Sequence, residues 1–148
     1  MHDVERAIGR IAGRQDNVIA REQLLASGLG RGAIAHRLRV GRLRRVHQRV
    51  YLMGPAPPTA MARKRAAAMA CGPGAVVSHR SAAELFGLLP DAGGEIDVTV
   101  PRRNPGRHDG IRVHRIAAFA PGEVTSMRSV PLTSVARTIC DLAATEPA

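Results

Sequence analysis

Residues 31–49 read RGAIAHRLRVGRLRRVHQR, and this run decides the fold. Ile34 and Leu38 stand four apart, so Arg31 to Arg39 is expected to be a helix that buries both on one stripe. Gly41 ends it. Leu43–Val46 and Val50–Met53 then read as two strands, with His47, Gln48 and Arg49 as the turn between them. Working outward, Val4, Ala7, Ile8 and Ile11 have helical spacing, with Asp3 placed as an N-cap and Asp16-Asn17 as the break. Val18-Ile19 is a short apolar pair. Arg21 to Ala26 reads as a second helix burying Leu24 and Leu25, closed by Gly28. Helix, helix, tight turn, helix and hairpin within residues 1–54 predict a winged helix-turn-helix.

Gly54-Pro55-Ala56-Pro57-Pro58 is stiff and proline-rich, so 55–58 is expected to be a connector. Beyond it, Thr59 caps an alanine-rich helix that runs to Cys71. Val76-Val77 is a short apolar stretch, and Ser78 is placed to cap a helix from His79 to Phe86. Glu95–Val100 alternates, with Ile96, Val98 and Val100 on one face, and Ile111–Ile116 is a further strand. The turn-rich segment between them, with Asn104-Pro105-Gly106 and Asp109-Gly110, suggests a long hairpin loop. Val130–Leu132 reads as a short edge strand. Thr133 is placed to cap a last helix, Ser134 to Ala144, burying Val135, Ile139 and Leu142. Residues 59–148 thus read as a small α+β domain, and the chain as α+β overall.

Composition narrows the function. Hydrophobic residues make up 45% of the 148, enough for a core, but aromatics only 2%. Nucleic-acid modules that stack bases on exposed aromatic rings are thereby excluded. No apolar run reaches the roughly 20 residues of a membrane span, and the N-terminus lacks a signal-peptide pattern. Cys71 and Cys140 form neither a disulfide framework nor a zinc-ligand spacing. These features predict a reduced, cytoplasmic protein. The net charge is +10, and Lys64 is the only lysine among 22 basic residues. Residues 1–50 hold eleven arginines against four acids (Asp3, Glu5, Asp16 and Glu22), and residues 31–49 hold seven arginines and no acid. A stripe of one sign this dense points to a polyanion, with double-stranded DNA the first candidate and a nucleoid-associated location to match.

With Ile34 and Leu38 toward the core, a helical wheel points His36 outward. Gly32 and Arg39 flank it on one side, Ala33 and Arg37 on the other. Arg39, His36 and Arg37 are the candidates for base-edge contacts, since an arginine fork matches guanine O6 and N7. His36 is equally well read as an incidental surface histidine. Arg31, at the helix start, and Arg42, Arg44, Arg45 and Arg49, on the hairpin, are the candidates for phosphate contacts.

The second domain offers less. Glu95 and Asp97 share the strand face opposite Ile96 and Val98, as Mg²⁺-binding carboxylates do in restriction-type nucleases. The lysine such chemistry uses just beyond the acids is absent, so a polar outer face is the expected role. His79 and His114 could join Ser78 or Glu84 in a site, but no nucleophile–base–acid spacing is evident. Ser78 is better read as a cap and His79 as a first-turn residue. Cys71 and Cys140 are expected to be small core residues. Gly72-Pro73-Gly74 lacks the lysine and spacing of a phosphate loop. No catalytic residue, metal or cofactor is expected.

Several segments together resemble the abortive-infection (AbiEi-type) antitoxins of type IV toxin–antitoxin systems. They are Arg14-Gln15, Gln23-Leu24-Leu25, Gly28-Leu29, Ile34, Gly41 through His47 and Val50-Tyr51. Downstream follow Gly72 to Ala75, Ser78 to Ala83, Val113-His114-Arg115, and Pro131-Leu132-Thr133 through Arg137-Thr138 to Asp141-Leu142-Ala143. The resemblance implies a winged-helix DNA-binding N-terminus that represses its own operon, a second domain, and a nucleotidyltransferase-like toxin as functional partner. Relatives often continue into an endonuclease-like domain where this sequence ends. The alternative is therefore the DNA-targeting front of a nuclease-related protein without its catalytic domain. Three positions depart from the pattern. Gly30 and Ala20 replace capping hydroxyls, and Arg49 replaces the wing glycine. The wing turn is expected to differ accordingly, with Arg49 pointing at phosphate.

Overall fold

Ile8 on α1 (His2–Arg14), Ile19 on β1 (Val18–Ala20), Leu24 on α2 (Arg21–Ala26) and Ile34 on α3 (Arg31–Arg39) meet in one apolar cluster. Leu29 joins from the α2–α3 turn, Leu43 from β2 (Leu43–His47) and Tyr51 from β3 (Val50–Met53). These residues belong to a computed structural model that describes residues 1–145. Each of these short elements is too small to be stable alone and is held by this shared burial. The strands form an antiparallel sheet in the order β1-β3-β2. Val18-Ile19 is thus a third strand, paired with Leu52 and Tyr51. α1 begins one residue before Asp3, which lies in the first turn and faces Arg6 rather than capping.

The missing hydroxyl at Ala20 is made good from within the helix. Gln23 Oε1 accepts the Ala20 N–H at 2.9 Å, and the Gln15 and Gln23 amides bond each other reciprocally at 3.0 and 2.9 Å. The β2–β3 turn keeps the backbone a glycine would adopt. Arg49 sits at φ 65°, beside a register shift between Arg45 and His47. The expectation of a different turn is therefore overturned. The arginine occupies the left-handed conformation, at a cost of about 1 kcal/mol.

The chain divides into compact units at Met1–Ala66 and Ala67–Ala148. The division falls inside α4 (Ala60–Cys71) rather than at 55–58. The start of α4 is fastened to the first unit by buried Arg65, which donates to Asp16 Oδ2 at 3.0 and 3.2 Å.

The second unit is a five-stranded sheet in the order β6-β5-β4-β8-β7. Its strands are β4 (Val76–Val77), β5 (Ile96–Pro101), β6 (Ile111–Ile116), β7 (Val124–Met127) and β8 (Val130–Thr133), with helices α5 (His79–Leu85) and α6 (Val135–Thr145). β5 and β6 run parallel, Ile96 beside Ile111 through Pro101 beside Ile116. Residues 102–110 are therefore a return crossover and not a hairpin loop. β8 is an interior strand between β4 and β7, not an edge. Exposed β7, with little apolar patterning, carries no strand signal in the sequence and takes the edge.

α6 also turns differently from its apolar pattern. Val135 and Ile139 are 42% and 54% exposed, while Thr138 and Asp141 are buried. Thr138 Oγ1 bonds Thr133 Oγ1 and the Ser134 carbonyl, both at 2.7 Å, so polar satisfaction sets the inward face. Ser134, not Thr133, caps the helix by accepting the Arg137 N–H. Cys71 is buried as expected, and its thiol is pushed up by that burial, but Cys140 is exposed.

Candidate nucleic-acid interface

α3 places its residues as the wheel predicts at all but one position. Ile34 is buried, Leu38 partly buried, and Gly32, Ala33, His36 and Arg39 face outward. Arg37 is the exception. It is 8% exposed and forms a two-point ion pair with Glu5 of α1. The Arg37 fork holds the Glu5 carboxyl below the ordinary carboxylate value. Arg37 is thus a tie between helices and not a base reader. Its long stem lets the guanidinium reach back past the apolar stripe, which a wheel of Cβ directions does not show. Arg39 and His36 lie together on the exposed face, Arg39 Nη2 at 3.4 Å from His36 Nδ1.

The hairpin arginines separate in the same way. Arg44 Nε donates to the Gly54 carbonyl at 3.0 Å, and Arg44 Nη2 to the Ala56 carbonyl. It fixes the proline-rich segment to β2 and is removed from the phosphate-binding set. Arg31, Arg42, Arg45 and Arg49 make no side-chain hydrogen bond or ion pair among the described residues and are exposed.

Arg31, Arg45 and Arg49 surround a concavity of about 490 Å³ with Arg21, a residue outside the 31–49 stripe and the candidate set drawn from it. Glu22 is the one acid on its wall. Arg21 lies ten positions before the stripe and enters through the fold: its backbone N–H donates to the Arg49 carbonyl at 2.9 Å, closing the start of α2 onto the hairpin turn. The signal that could have found it is its place two residues after the apolar pair 18–19, which makes it the first residue of α2. Four guanidiniums around one hollow, with a single carboxylate, make a site that a phosphate backbone fits by charge.

In the second unit Glu95 is exposed, but Asp97 is buried, because β5 is covered on both faces. The polar outer face expected of this pair is therefore absent. Asp97 Oδ1 instead accepts from His114 Nε2 at 2.9 Å, and its backbone N–H donates to Ser81 Oγ at 2.8 Å. Ser78 holds the N-cap position of α5 without bonding a helix N–H. Its hydroxyl lies 2.8 Å from His79 Nδ1 and accepts from Thr99 Oγ1 at 2.7 Å. His79 is buried at φ 52°, and its ring stacks on that of His114 at 3.7 Å. Desolvation, then the neighbouring His114, lowers the His79 pKa, against the opposing pull of Asp141 and Asp97. The sequence segments containing these residues lie 35 positions apart, with nothing local to pair them.

No family model and no curated protein matches the chain. Among solved structures it is similar to the Rv2827c protein from Mycobacterium tuberculosis, at 24% identity and a TM-score of 0.46. The match covers 80% of this chain and 46% of that one, so the chain spans less than half the length of that neighbour. Among the described residues no helix is long and apolar enough to cross a membrane.

Proposed function

We propose that the N-terminal unit is a winged helix-turn-helix that binds operator DNA, and that the protein is an antitoxin-type repressor of a toxin–antitoxin operon. The observation that carries the DNA reading is the cluster of exposed arginines without carboxylate partners on the α3–hairpin face. Arg39 and His36 stand on the outward side of α3, while Arg31, Arg45, Arg49 and Arg21 ring the neighbouring hollow. In this reading α3 enters the major groove and Arg39 pairs with a guanine edge. The hairpin arginines hold the flanking phosphates and set register and affinity. The small side chains Gly32 and Ala33 let the helix approach closely. The antitoxin role, and a nucleotidyltransferase-like toxin as the partner, rest on the sequence resemblance.

The test is selection of bound duplexes from a random pool by the full chain. One enriched motif is expected, with Arg39→Ala losing about 1–3 kcal/mol on that motif and little on a scrambled duplex. A pool that shows no enrichment, or an Arg39→Ala loss equal on both duplexes, overturns the operator reading.

A further inference from the structure

A cavity of about 240 Å³ opens in the second unit, lined by His79, Arg80, Arg112 and His114 with Asp97 and Thr145. Four of its six wall residues are basic. We propose that it is a phosphate-monoester site, in which His79 donates to a phosphate oxygen, the His114 ring backs it by stacking, and Arg112 closes over the anion. This rests on neither the operator reading nor the N-terminal unit.

The hydrogen-bond network fixes what each ring offers. Thr99 donates to Ser78, and in the arrangement that also gives the buried Ser78 proton an acceptor, His79 Nδ1, the His79 proton stands on Nε2. His114 Nε2–H is taken by Asp97. His79 Nε2 and His114 Nδ1 therefore take no hydrogen bond among the described residues. The carboxylate on the wall does not oppose an anion: Asp97 Oδ1 is committed to His114, and Arg112 Nη1 stands 3.7 Å away. Ser78 is fully buried, so it orients His79 and does not reach a ligand.

Two costs converge on this cluster. A non-glycine residue at φ 52° is strained, and Asp141 Oδ2 is buried without a hydrogen-bond partner among the described residues, 4.0 Å from His79 Nδ1. Both costs fall on the buried ring that lines the cavity or on the carboxylate beside it. Asp97 orients His114 and Asp141 lies beside His79, while Arg137 remains tied to Asp141 and Glu123. A phosphate in the cavity accepts from His79 Nε2–H and from the guanidinium of Arg112. The cavity exceeds a bare phosphate in volume, which leaves room for the group that carries it.

The ligand is then a phosphorylated small molecule or a terminal phosphate on a nucleic acid. The experiment follows the six histidine side chains of the full chain by ¹⁵N NMR. The titrants are inorganic phosphate, a mononucleotide, acetate, and an oligonucleotide with either a 5′-phosphate or a 5′-hydroxyl. Saturable movement of His79 and His114 with phosphate and mononucleotide is expected, and Arg112→Gln should weaken it about 10- to 100-fold. Arg112 is largely exposed, so this change leaves the fold intact. A response to the 5′-phosphorylated oligonucleotide and not its 5′-hydroxyl form assigns the nucleic-acid end. A response to the mononucleotide alone assigns the small molecule. Acetate binding as tightly as phosphate overturns the proposal. So does movement confined to His36 and His47 of the N-terminal unit, or an affinity unchanged by Arg112→Gln.

Discussion

Several arginines of the two units are used in opposite ways, although the second unit too has exposed ones, Arg102, Arg107 and Arg115, with no side-chain hydrogen bond or ion pair among the described residues. In the second, Arg112 faces Glu95 and Asp97, Arg137 is shared by Glu123 and Asp141 and lies over Phe119, and Arg103 is spent on the carbonyls of Cys71 and Pro73. In the first, Arg31, Arg45 and Arg49 stand in solvent with no ion pair among the described residues. A paired arginine stabilises its own fold or closes a small site. An exposed cluster of unpaired ones repels itself and is useful only to an external anion. The contrast also runs inside the stripe itself: Arg37 and Arg44 belong with the paired kind, although they have the same sort of sequence neighbours as Arg45 and Arg49.

The sharpest way to break that comparison is to remove one of each kind. Arg45→Ala with Arg49→Ala should lower the log–log salt slope of duplex binding by up to about 1.8, at about 0.9 for each phosphate left without its arginine. The affinity should fall alike on operator and scrambled DNA. Arg44→Ala should leave the slope unchanged and lower stability, since the Gly54 and Ala56 carbonyls are deprived of their donor. Salt titrations by fluorescence anisotropy read both. A slope that moves with Arg44 and not with Arg45 and Arg49 reverses the assignment.

Next in size is the α1–α3 tie. Arg37→Ala should destabilise the N-terminal unit by about 1–2 kcal/mol, the loss of a charge-assisted pair whose arginine is buried and whose carboxylate is half-buried, measured by urea unfolding. The pH dependence carries the signature. Glu5 titrates below its ordinary 4.5, so its contribution is complete above that pH and is lost as the pH falls through the lowered value. The variant should therefore lose this part of the acid sensitivity. If Arg37→Ala instead changes base preference with stability intact, the residue reads DNA after all.

Periodicity makes the N-terminal helices and hairpin legible, because Ile34, Leu38, Leu24 and Ile8 repeat at the spacing at which they are buried or partly buried. The second unit is legible only in part. Its α6 carries an apolar pattern that the fold leaves outside, since Thr138 and Asp141 have buried partners to satisfy. The parallel pairing of β5 with β6 depends on where residues 102–110 run, which turn residues alone do not specify. Free arginines cannot be told from tied ones, because Glu5 lies 32 positions from Arg37 and the carbonyls that hold Arg44 carry no sequence signal at all. His79, His114 and Asp97 meet for the same reason only in three dimensions.

The smallest effect separates strain kept for binding from strain that serves nothing there. Arg49 at φ 65° and Ser129 at φ 67°, in the two-residue turn joining β7 to β8, are both left-handed at positions glycine would occupy without cost. Arg49→Gly and Ser129→Gly should each stabilise the protein by about 1 kcal/mol, read as a rise in Tm. Their effects on DNA should diverge. Arg49→Gly removes a guanidinium from the concave face and should reduce the salt slope by about 0.9 while the fold becomes more stable. Ser129→Gly should leave duplex binding untouched. More stable protein with weaker binding is the mark of a residue retained for its ligand rather than for its fold. If Arg49→Gly stabilises and binds DNA as well as before, the β2–β3 hairpin does not grip the backbone through this residue. The hollow formed by Arg21, Arg31 and Arg45 must then hold the phosphate without it.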